Sequence, residues 1–166
     1  MSDEVQKVPE GKFIPAFFLP VVEIGQEFKS GERWPHHITL FPPLETTYDP
    51  EFGHSMRRQL NRHHPFIVRT AGEAYYGPNN DQPVRLIEDD LRMQGMHYLL
   101  EKAIGDISHD ETYRSPYNPH ISVERHKELP RGVSIFIAGL SIVEKRFGGV
   151  WTVVDKIGLK GGVTHE

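Results

Sequence analysis

The chain has 166 residues, no cysteine, 37% hydrophobic and 25% charged residues, and a formal net charge of −4. That length is enough for one domain with a real core, and the composition is that of a globular protein rather than a disordered one. The missing thiols exclude disulfides, cysteine nucleophiles and thiolate zinc sites and agree with a reducing cytoplasm. The acidic balance argues against broad binding to duplex DNA.

Met1–Gly11 is polar and acidic, without the order of a secretory leader, and is expected as a flexible tail ahead of one domain over 12–160. Phe13–Val22 is apolar and interrupted by Pro15 and Pro20, which predicts a buried strand. Glu23–Pro35 is a polar connection. His36–Phe41 has strand character and stops at Pro42-Pro43, which cannot continue a ladder. Phe52, Met56 and Leu60 at spacing four predict a helix over Asp49–His64, with Arg57, Arg58 and Arg62 on a solvated outer face.

Phe66–Tyr76 and Val84–Ile87 read as strands around the turn Gly77–Asp81. A second helix is expected over Asp89–Ile107: Leu91, Leu99, Leu100, Ala103, Ile104 and Ile107 form its apolar face, and Glu88, Asp89 and Asp90 favour its N-terminus. Polar Ser108–Asn118 leads to a strand at His120–Glu124. Val133–Val143 and Val150–Leu159 alternate around Gly148-Gly149 and predict a hairpin, before a tail over 161–166. Hairpin-joined strands with two helices make an α+β protein. No apolar run approaches the roughly 20 residues that span a bilayer, so no membrane contact is expected.

One short pattern occurs twice: His37-Ile38-Thr39-Leu40 and His120-Ile121-Ser122-Val123. In a strand, residues i and i+2 share a face. Each segment therefore presents an imidazole and a hydroxyl on one side and anchors itself by the other. Such polar faces are costly to bury without partners, whereas two of them lining one cleft can hold an anion. The chemistry suits a phosphodiester. A neutral imidazole takes a proton from water or a ribose hydroxyl, an imidazolium gives one to the departing oxygen, and the hydroxyls donate to non-bridging oxygens.

On these residues the chain resembles the two-histidine (2H) phosphoesterase superfamily, also called the 2′–5′ RNA ligase-like family. His37–Leu40 followed by Phe41-Pro42-Pro43 is similar to the family's first motif, and Pro119–Arg125 to its second, with leading proline and trailing arginine. The opening strand and closing hairpin extend the resemblance over residues 12–160. It implies a bilobal α+β fold, with two pseudo-symmetric lobes of antiparallel strands, helices packed outside, and a central cleft that takes one motif from each lobe. Phe41 stands where many members carry a basic residue, Ser122 replaces the commoner threonine, and Glu23–Trp34 is short for the helix that often precedes the first motif.

The expected function is a metal-independent phosphodiesterase with His37, Thr39, His120 and Ser122 as catalytic residues. Its substrate would be a nucleotide or short oligonucleotide carrying a 2′,3′-cyclic phosphate, a 2′–5′ linkage, or another cyclic or linear phosphodiester. A non-catalytic nucleotide- or RNA-binding protein using the same cleft is the alternative. Tyr113 and Tyr117 are candidates to stack on a base, Arg125 to attract phosphate, and Phe41 completes the candidate substrate-binding set. Arg85 and Arg114 are further candidate phosphate donors. His54, His63, His64 and His97 lack the H-E-x-x-H spacing, so no metal or cofactor is expected. A cytoplasmic monomer is.

Overall fold

Alternating apolar residues build a single antiparallel sheet in this computed structural model, which describes residues 9–19, 21–29, 31–105 and 117–160. Its strands are β1 (Pro9–Leu19), β2 (Glu27–Lys29), β3 (His36–Thr39), β4 (Phe66–Tyr76), β5 (Gln82–Ile87), β6 (His120–Ser122), β7 (Ser134–Ile137), β8 (Gly139–Arg146) and β9 (Val150–Gly158), with helices α1 (Pro50–Leu60) and α2 (Leu91–Ile104). The strand order is β2-β9-β8-β1-β3-β6-β5-β4-β7. Two lobes of antiparallel strands thus meet where β3 pairs with β6, and each lobe contributes one copy of the repeated motif to that seam. The architecture is α+β and bilobal, as expected.

One face of the sheet carries the main core. Phe17, Ile38 and Ile121 point into it together with Met56 and Leu60 of α1 and Met93, Met96, Leu100 and Ile104 of α2. Burying each such aliphatic side chain contributes about 1.5–3 kcal/mol, so the helices hold both lobes to a common interior. Both helices start on an aspartate cap. The Asp49 carboxylate accepts from the Glu51 backbone N–H at 3.0 Å with Pro50 in the first turn, and Asp90 accepts from the N–H groups of Arg92 and Met93 at 2.8 and 3.3 Å. No described helix is long and apolar enough to cross a membrane.

The chain departs from its local pattern in four places. Leu91 is not on the apolar face of α2: at the first helical position it is 88% exposed. (Ile107, expected on that face, lies outside the described residues.) Arg57 does not project from a solvated face but turns in to an ion pair with Asp155, which also accepts from the Tyr48 hydroxyl. The polar connection after β1 contains β2, whose Phe28 sits opposite Trp151 of β9 and is buried.

The expected strand Val133–Val143 is two strands in different lobes. β7 pairs with β4, while β8 pairs with β1 and β9. The crossing falls at Gly139, where a Cβ would lie 2.8 Å from the Ile157 carbonyl oxygen, so only glycine lets the backbones pass this closely. The hairpin itself is β8–β9, turned by Gly148 and Gly149 at φ 90° and 79°.

Candidate active site

The seam between the lobes places the two motifs side by side. Ile38 pairs with Ile121 in antiparallel register, which sets His37 across from Ser122 and Thr39 across from His120. Ile38 and Ile121 are each 0% exposed and point to the core, so the four polar side chains share the other face. His37 and His120 are diagonal neighbours on that ladder, about 7–8 Å apart by strand geometry. An imidazole from each lobe can therefore reach one bound phosphate.

Each ring is oriented by its own strand. The His37 Nδ1 lies 2.9 Å from the Pro35 carbonyl oxygen, and the His120 Nδ1 lies 2.9 Å from that of Asn118. A carbonyl only accepts, so both Nδ1 atoms carry the proton and donate it, leaving each Nε2 with its lone pair toward the cleft. Burial pushes the pKa of both imidazoles below the ordinary histidine value, against the backbone bonds that pull it up; for His37 the nearby His36 and His120 push further down. Both rings are thus neutral bases before an anion arrives.

Aromatic neighbours complete their support. Phe18 of β1 stacks on His37 at 4.9 Å, and Tyr76 of β4 meets His120 edge-on at 4.6 Å. A pocket of about 320 Å³ opens beside His37, lined by His37 and Ser122 together with Arg33, Trp34, Gln82 and Glu124 among others. Among the described residues no three His, Asp or Glu side chains gather as metal ligands.

A family model described as the 2′-5′ RNA ligase superfamily matches residues 22–137. The chain belongs to this superfamily. Solved structures with the same fold include TT0787 of Thermus thermophilus, at 22% identity and a TM-score of 0.59 over 90% of this chain and 98% of that one. E. coli LigT, solved with 3′-AMP, matches at 13% identity and 0.59 over 91% and 98%. Kluyveromyces marxianus Usb1 matches at 11% and 0.58 over 91% and 99%. At these identities the likeness establishes the fold. No curated protein sequence matches the chain.

In this superfamily member two of the expected substrate-binding residues, Phe41 and Tyr117, pack against the core. Phe41 is 3% exposed and stacks on His97 inside the core, so it offers no surface to a ligand. The Tyr117 ring lies flat on the other side of His97 at 4.3 Å, and its hydroxyl donates to the Thr39 carbonyl oxygen at 2.8 Å. Tyr117 therefore packs the seam from behind. Arg125 is exposed at the start of a short 3-10 turn, and Glu124 lines the pocket in its place. Arg85 is buried and donates to the carbonyls of Leu129, Ala71 and His126, which makes it a brace for the second lobe. Tyr113 and Arg114 lie outside the described residues.

The residues that do line the pocket include Arg33 and Trp34, within the stretch read as a polar connection. The one local hint was an aromatic residue just ahead of the first motif.

Proposed function

We propose that the protein is a metal-independent phosphodiesterase acting on a nucleotide phosphodiester, such as a 2′,3′-cyclic phosphate or a 2′–5′ linkage, with His37 and His120 as its acid–base pair. The observation that carries this reading is the β3–β6 register, which brings two equally oriented imidazoles and two hydroxyls onto one face, with His37 and Ser122 lining a pocket beside it. Membership of the superfamily supports it, as does the capture of 3′-AMP by a protein of the same fold.

The chemistry follows from the protonation states. Both Nε2 atoms start as bases. An arriving phosphodiester anion stabilises an imidazolium, so one ring picks up a proton as the substrate binds. The ring that stays neutral draws the proton from a water or ribose hydroxyl as that oxygen attacks phosphorus. The charged ring then delivers its proton to the departing oxygen. Thr39 and Ser122 donate hydrogen bonds to the non-bridging oxygens as charge builds there. The two rings end in exchanged states, and solvent resets them.

The test is turnover of a panel of nucleoside 2′,3′-cyclic phosphates and 2′–5′ dinucleotides, with products identified by mass spectrometry. Replacing either histidine by alanine should lower kcat by at least about 100-fold, EDTA should leave it unchanged, and the pH profile should be bell-shaped. Full activity in the double His37→Ala/His120→Ala variant ends the proposal. Binding without any product in the intact protein points to a nucleotide-binding module instead.

A further inference from the structure

The pocket beside His37 and Ser122 has a composition of its own. Of its described lining residues only Trp34 carries a non-histidine aromatic ring, and only Arg33 is a lysine or arginine; Glu32 and Glu124 add negative charge. A volume of about 320 Å³ is at the small end of ligand sites, suited to one nucleotide rather than a chain of them. Among the described residues that wall sets a single lysine or arginine beside two carboxylates, a poor match to a polyphosphate. It suits one phosphodiester charge joined to an apolar, flat group.

Trp34 is placed to meet such a group. Its ring centroid is 5.8 Å from that of His37, tilted by 40°, so the indole and the imidazole stand side by side in the pocket wall. The indole is itself immobilised: Phe28 packs on it at 5.2 Å, Trp151 meets it edge-on at 5.6 Å, and its Nε1 donates to the Lys29 carbonyl oxygen at 3.3 Å. The loop that carries it is tied across the cleft. Arg33 forms an ion pair with Glu128 and lies 3.9 Å from Glu124, both in the second lobe, and His36 reaches Glu128 at 3.4 Å. A half-buried aromatic surface, fixed from behind and open to the pocket, loses little freedom when a flat ligand docks on it.

We propose that Trp34 is the nucleobase platform of this site, so that the preferred substrate is a phosphodiester of a single purine or pyrimidine nucleoside. This deepens the phosphodiesterase reading and rests on the same cleft. Arg33 and Glu128 act as positioning residues that hold the platform in place.

Two measurements test it. In the first, kcat/KM is compared for a nucleoside 2′,3′-cyclic phosphate and for glycerol 1,2-cyclic phosphate, which has no base. Trp34→Leu should cut the preference for the nucleoside about 10- to 100-fold, through KM, and Trp34→Phe should restore most of it. An unchanged preference in Trp34→Leu overturns the proposal.

The second measurement needs no turnover. Trp34 and Trp151 are the only two tryptophans, so a Trp151→Phe variant that also carries His37→Ala and His120→Ala reports on Trp34 alone. Nucleoside 3′-monophosphate should quench its fluorescence saturably, while glycerol phosphate should not. No response to the nucleotide overturns the platform. Quenching in this variant without turnover by the native protein sinks the phosphodiesterase reading and leaves the platform standing. Turnover with no effect of Trp34 does the reverse.

Discussion

Removing one oxygen atom tests whether Tyr117 braces the seam or waits for a ligand. The Tyr117 hydroxyl donates to the Thr39 carbonyl at 2.8 Å, and its ring lies within 5° of parallel to His97. Burial pushes the phenol pKa up, so it stays a neutral donor throughout the working range. Tyr117→Phe keeps the stack and leaves a carbonyl without its partner. A neutral hydrogen bond contributes about 0.5–1.5 kcal/mol, and a buried unsatisfied group costs about 1–3 kcal/mol. A loss of about 2 kcal/mol is expected, which for a chain of this size lowers Tm by about 4–8 °C. Tyr117→Leu also removes the stack, and large-to-small replacements of a ring cost about 3–5 kcal/mol. Urea and thermal unfolding read both variants. If Tyr117→Phe melts with the native protein and instead weakens nucleotide binding, Tyr117 is a ligand contact and the account of the seam is wrong.

Two further outcomes follow from the packing. Gly53→Ala should destabilise by about 1–3 kcal/mol, although alanine favours a helix by about 1 kcal/mol. The added Cβ would collide with the Tyr48 hydroxyl and stand 2.9 Å from the Asp155 carboxylate that Tyr48 and Arg57 share. Adding Tyr48→Phe should recover part of that loss in a double-mutant cycle, and additive losses would refute the clash. The histidines set a pH dependence. Burial holds His37, His97 and His120 below the ordinary value of 6.5, so the native state binds fewer protons than the unfolded chain below that pH. Stability is fully present above about pH 6.5 and falls as pH drops through the folded values, with a slope of at most about 1.4 kcal/mol per pH unit for each histidine. A urea midpoint that stays flat from pH 7.5 to 5.5 would contradict this.

The repeated motif was readable because its information is local. Period-two alternation puts Ile38 and Ile121 on one face and the histidines and hydroxyls on the other, wherever the strands lie. The helix caps Asp49 and Asp90 and the turn Gly148-Gly149 are likewise set by residues within a few positions of one another. Phe41, Tyr117 and Arg125 flank the motifs in the chain, and adjacency made them look like site residues. Phe41 and Tyr117 lie beyond the ends of β3 and β6, however, where strand alternation no longer sets a side chain's direction, and both pack around His97. The split of Val133–Val143 was equally hidden, since its cause is the backbone of β9 passing over Gly139.

What the sequence determined by itself is the chemistry on offer: two imidazoles, two hydroxyls, and strands and helices to carry them in an α+β chain. What the tertiary structure alone decided is company. The β3–β6 register set two distant tripeptides side by side on one face, and the cross-lobe ion pairs of Arg33 hold the loop that sets Trp34 against His37. Pairing between strands more than eighty residues apart depends on which hydrophobic faces can be buried together over the whole chain, and no local window contains that sum.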